Sequence, residues 1–176
     1  MTTRAEVDAK IAAATLEVLR TRGPRAVTVE AVTARSGVAK TTIYRRYSDR
    51  RDMLAAALSS ITTAAPLDAQ TDPRDLLAWV ITHAVDAVEG GIGFGGFAAL
   101  LTDDDPDFTE VFRRILAEQR ATLEAAITQT WTGIDPVTLI DAIVGAYTAE
   151  RARTGAVADG WQDRLFDVFW LAVSSG

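Results

Sequence analysis

Residues 28–54, TVEAVTARSGVAKTTIYRRYSDRRDML, set one Gly turn between two short amphipathic stretches, and no other segment restricts the fold as tightly. Thr28 is placed to cap the first stretch, and Glu30 falls in its first turn, where the helix dipole favours a carboxylate. Gly37 ends it, because Gly accepts the left-handed backbone that helix ends often need. The second stretch begins at Lys40. Ile43 and Tyr47 lie four apart on an inward stripe, while Lys40 with Tyr44 and Thr41 with Arg45 pair on other faces. Two helices around a tight turn, the second one basic and hydrogen-bonding on its outer side, can present a helix to the major groove of DNA.

The remaining periodicity is helical, with no repeat and few alternating segments, so the expected fold is all-α with about nine helices. A first helix over Arg4–Arg22 turns Val7, Ile11, Ala14, Val18 and Leu19 inward and stops at Gly23-Pro24. Asp49 caps a fourth, with Asp52 as its capping-box partner, and that helix fades at about Ala65-Pro66. Pro73 opens a strongly apolar fifth, which Gly90-Gly91 should end. A short sixth follows over Phe94–Leu101. Asp105 and Pro106 open the seventh, Val137 to Gly155 bounds the eighth, and a ninth runs from about Gly160. The expected division is residues 1–50 as a helix-turn-helix domain and residues 51–176 as an effector-binding and dimerisation domain.

Net charge is −6 over 176 residues, which at first argues against nucleic acid. Its distribution reverses that. Residues 1–51 hold eleven basic and five acidic side chains, a net +6, and the rest hold seven and nineteen, a net −12. A basic N-terminal part on an acidic body suits one face for phosphates and another that DNA avoids. There is no Cys, so disulfides and thiolate metal sites are excluded and a reducing, cytoplasmic setting is expected. Nowhere do 18 apolar residues run together, so no membrane partner is expected. The charged start, with no apolar h-region, does not read as a signal peptide.

GVAKTTIYRRYSDRRDML resembles the helix-turn-helix signature of TetR-type transcriptional repressors: a Gly-Val turn, then Thr, an apolar residue and Tyr, with an aromatic (Tyr47) and a basic residue (Arg50) at steps of three. The resemblance covers about residues 1–55, and the remainder matches in helical layout and length. Two positions depart from the pattern: Ala39 stands where a capping Ser is usual, and Tyr47 where Phe is usual. The resemblance implies that Thr28, Thr42, Tyr44 and Arg50 hold phosphates, while Lys40, Thr41, Arg45 and Arg46 face base edges. It further implies a homodimer on a palindromic operator in double-stranded DNA, released by a small-molecule effector, with no cofactor. The ninth helix is apolar nearly all round and needs burial on every side. Ile140 and Val144 on the eighth helix, with Trp161, Leu165, Phe166, Phe169, Trp170 and Val173 on the ninth, are the expected dimer residues.

Aromatics crowd the fifth to eighth helices, and an effector pocket is expected from among Trp79, His83, Phe94, Phe97, Leu100, Phe112, Trp131 and Tyr147. Two rival readings remain open. GIGFGG at residues 91–96 formally matches a dinucleotide fingerprint, which would suit a helical cofactor-binding enzyme, although a helix rather than a strand precedes it. A flexible inter-helix joint fits that context better. A DNA-binding adaptor without a small-molecule effector is the other rival. Asp103, Asp104, Asp105 and Asp107 fail as a calcium loop, since Phe108 and Arg114 stand where Gly and Glu are needed. His83 is the only histidine, so no His-based triad or multi-histidine metal site can form, and an enzyme is not expected.

Overall fold

A computed structural model describes residues 3–61 and 71–174. Nine α-helices and no strands occur among them: α1 (Arg4–Arg22), α2 (Val29–Ser36), α3 (Lys40–Arg46), α4 (Arg50–Ser59), α5 (Pro73–Asp86), α6 (Gly93–Thr102), α7 (Pro106–Thr130), α8 (Pro136–Thr154) and α9 (Trp161–Val173). A 3-10 turn at Pro24–Ala26 joins α1 to α2. The all-α expectation holds. The expected end of the fourth helix at Ala65-Pro66 lies outside the described residues.

The helix ends follow the capping chemistry of the sequence. Thr28 Oγ1 accepts the Ala31 N–H at 3.1 Å, and Gly37 closes α2 in the left-handed region at φ 69°. Asp49 accepts the Asp52 N–H at 2.8 Å, but Asp52 accepts the Ser48 N–H at 3.0 Å rather than that of Asp49, so the expected capping box does not close. Helix α3 has no side-chain cap, because its N-cap is Ala39. One boundary differs from the expectation. Gly90-Gly91 does not end the fifth helix; the chain passes from α5 through a π-helical segment, Ala87–Ile92, directly into α6.

The Gly-rich stretch is explained by close packing. Gly93 sits at φ +71°, and a Cβ there would lie 3.4 Å from the Arg20 backbone and stem. A Cβ on Gly96 would come within 3.0 Å of Ile92. Arg20 Nε donates to the Gly91 carbonyl at 2.7 Å, supplying a partner where the widened helix departs from regular α geometry. A π turn entered from a helix is not the strand-to-helix turn that a dinucleotide fingerprint requires. The continuous helix Pro73–Thr102 is long and apolar enough to cross a membrane by length and composition, with a mean hydropathy of 1.4. Its α5 part buries Leu76, Leu77, Val80, Ile81, Ala84 and Val85, as a core helix does.

The described residues divide into two packing units, 3–61 with 87–117 and 71–86 with 118–174. The first contains α1–α4, the π segment, α6 and the first half of α7. Ile11, Leu19, Val27, Val32, Ile43, Leu54 and Leu58 from α1–α4 and the turns between them share one core with Ile92, Ala99, Phe108 and Val111. A three-helix head alone has too little interior for its surface, and borrowing α6 and α7 enlarges the core. In the second unit, Leu77, Val80, Ile127, Ile143, Tyr147 and Trp161 are buried.

Candidate nucleic-acid interface

Helix α3 is held by one deeply buried side chain, Ile43, at 1 % exposure, with Tyr47 half-buried at its C-cap. The helix and its flanks leave Lys40, Thr41, Tyr44 and Arg45 exposed, with Thr42 half-buried. Tyr44 is 54 % exposed, a large aromatic with no interior role. Arg45 is exposed and makes no ion pair or hydrogen bond among the described residues. Thr28 is exposed at the start of α2, with its hydroxyl oxygen engaged in the cap.

The other cations differ from Arg45. Lys40 pairs with the Glu30 carboxylate and lies 5.7 Å from the Tyr44 ring. The hydrogen bond to Lys40 lowers the Glu30 pKa, and the same bond raises that of Lys40. Both groups are open to solvent, so the pair exchanges readily for another anion. Arg46 instead points back at α1. Its Nη1 binds the Asp8 carboxylate, its side chain is 14 % exposed, and its Nε is buried with no partner. That contact ties α3 to α1. Asp8 carried no signal in the sequence, since it stands 38 residues away.

Arg50 is also engaged within the protein. Its Nε donates to the Val27 carbonyl at 2.8 Å and its Nη2 to the Pro24 carbonyl at 2.7 Å. Nη1 donates to Asp105 Oδ1 at 3.2 Å, and Nη2 to the other oxygen of the same carboxylate. Asp105 is buried and also accepts the Phe108 N–H at 3.1 Å, capping α7. Burial pushes its carboxyl up, but the hydrogen bonds from Arg50 and Phe108 outweigh that and hold it below the ordinary value. The acidic run is thus a set of counter-charges: Asp104 pairs with Arg25 at 2.9 Å, Asp105 with Arg50, and Glu110 with Arg51. No group of three or more metal-capable side chains occurs among the described residues.

The eight expected effector residues fall in both packing units. In the second, the Trp79 and His83 rings lie with centroids 4.1 Å apart at a tilt of 31°, and His83 Nδ1 lies 2.8 Å from the Trp79 carbonyl. Tyr147 meets Trp161 edge-on at 6.2 Å, and Trp131 is buried. In the first unit, Phe112 stacks on Phe108 at 5.9 Å, Phe97 and Leu100 are half-buried, and Phe94 is 37 % exposed. A shallow groove of about 380 Å³, lined by Arg22, Pro24, Arg25, Ala98, Thr102 and Asp104 among others, includes none of the eight.

Of the expected dimer residues, Ile140, Trp161 and Val173 are buried inside the protomer, while Val144, Leu165, Phe166, Phe169 and Trp170 are half-buried. Arg74 lies over two of them, 4.7 Å from the Trp170 ring and 5.2 Å from that of Phe166. On α8 and α9 the large apolar side chains that are exposed are Val137, Val168 and Leu171, the last two at 64 % and 70 %.

Comparison with known families matches residues 11–57 to the family described as bacterial regulatory proteins, tetR family. No curated protein matches the chain. The match spans the second half of α1 and all of α2 and α3, and takes in most of α4, the elements that build the exposed face around Tyr44 and Arg45. Residues 11–57 are the N-terminal helix-turn-helix domain of the tetR family, and the chain carries the DNA-binding part of a transcriptional regulator.

Proposed function

We propose that the protein is a homodimeric repressor that binds a palindromic operator through α3 and leaves it when a small molecule binds the helical body, residues 51–176. The observation that carries the reading is the exposed α3 surface, where Thr41, Tyr44 and Arg45 stand free of the core. Arg45 and Thr41 read base edges, and Lys40 joins them by giving up Glu30. Arg forks onto guanine O6 and N7, a contact worth about 1–3 kcal/mol of discrimination. Thr28, Thr42 and Tyr44 fix register on phosphates. A regulator of this kind needs no chemistry of its own, so no enzyme activity is assigned.

Dimerisation uses the faces of α8 and α9 that the protomer leaves uncovered. On α9 these are Val168 and Leu171, three apart. On α8, exposed Ala142, Gly145 and Ala149 follow at steps of three and four on one stripe. A side chain at Gly145 would meet nothing within 4 Å, so another helix can approach closely there. A two-fold protein then matches a two-fold site. A ligand bound in the body acts only through preference for the non-binding state.

Leu171→Asp tests the assembly. The side chain is exposed in the protomer, so its replacement leaves the fold intact while placing an unpaired charge in the dimer. Light scattering should show a folded monomer with much weakened operator binding. A Leu171→Asp dimer with full affinity would remove this face from the interface.

A further inference from the structure

We propose that Arg50 is a positioning residue and not a phosphate anchor: with Asp105 it pins the turn that starts α2 to the first turn of α7. The inference rests on the reading of residues 11–57 as a DNA-binding domain. A guanidinium has five N–H donors in a fixed fork. Here Nε is spent on Val27, both Nη2 protons on Pro24 and Asp105, and one Nη1 proton on Asp105. One donor remains, with Asp107 3.8 Å from the same nitrogen. Turning Arg50 toward a phosphate would therefore break four hydrogen bonds. It would also strand the Asp105 carboxylate, at 6 % exposure, without its cation.

The acceptors show what is positioned. Val27 is fully buried, and its carbonyl belongs to the peptide that enters Thr28, the α2 cap. Pro24 opens the 3-10 turn before it. Asp105 is both the Arg50 partner and the α7 cap. One side chain thus ties three chain segments together, and α7 is bound to the entry of α2 without touching DNA. The geometry of the reading head is set in part from outside the helix-turn-helix, and a displacement of the α7 start is carried to α2 through Arg50.

Two conservative variants decide the matter. Asp105→Asn keeps the α7 cap, since Asn caps as well as Asp, but removes the charge that holds Arg50. Arg50→Lys keeps the cation but cannot bridge three acceptors. Binding to a labelled random-sequence duplex is measured between about 50 and 200 mM salt, well below the melting temperature, together with the thermal midpoint. Both variants should lower the midpoint by several degrees and weaken binding by similar factors, roughly tenfold. The slope against salt should match that of the unmodified protein, and the double variant should be little worse than either single one. A phosphate anchor gives the opposite signs. Asp105→Asn would then free Arg50, tighten binding and steepen the slope by about one, and Arg50→Lys would bind as before; either result overturns the proposal. If the unmodified protein binds no duplex, the DNA-binding reading fails, while non-additive midpoints still decide for the pin and additive ones against it.

Discussion

Four cations lie between residues 40 and 50 of a chain that resembles a DNA binder, and each has its own fate. Lys40 is loosely held by Glu30, Arg45 is exposed with no partner among the described residues, Arg46 is locked on Asp8, and Arg50 is enclosed by Pro24, Val27 and Asp105. Local periodicity separates Ile43 from the outer residues, which is why Tyr44 and Arg45 were legible. It cannot show Arg46 and Arg50 turning inward, because their partners lie 38 and 55 residues away in sequence. Arg45→Ala should relax base preference at one operator position. Tyr44→Phe should weaken binding to all sequences alike, since a phosphate contact carries no sequence information. Binding selection on both variants checks this, and an unchanged preference in Arg45→Ala removes that residue from readout.

The elements were legible where capping chemistry is local. Thr28, Gly37, Asp49, Asp105 and Gly155 end their helices as their side chains or backbone freedom dictate. Gly90-Gly91 misled because glycine has two uses. The segment reads locally as a stop, whereas Gly93 and Gly96 serve close approaches to Arg20 and Ile92 that only tertiary packing reveals. The missing cap on α3 is a real vacancy. Ala39 has φ −59° and ψ 138°, extended backbone that Ser accepts. Ala39→Ser should stabilise the protein by about 1 kcal/mol, read as a higher denaturant midpoint at unchanged slope. An unchanged midpoint would mean that Ala39 is already the best fit to its turn.

At the scale of the molecule, the charge split seen in the sequence has a structural use. Acidic residues of the α6–α7 turn and α7 serve as counter-ions for Arg25, Arg50 and Arg51, so part of the N-terminal positive charge is spent internally. The Asp105 pKa is lowered in the folded protein, so its contribution is present above the ordinary carboxylate value and lost as pH falls through the lowered one. Stability should therefore decline below roughly pH 4, and Asp105→Asn should flatten that decline while lowering stability at neutral pH. Urea unfolding at roughly pH 7 and pH 3 tests the sign, and equal acid sensitivity in the two proteins would contradict it. A preferred DNA sequence is not written in side-chain pattern, because it depends on a partner outside the chain. The most direct test of the central claim is selection of duplexes from a randomised pool by the purified protein, with stoichiometry measured on the winner. The account predicts an inverted repeat bound by two copies of the chain. Enrichment of no sequence, or of an asymmetric site bound by one copy, would contradict it.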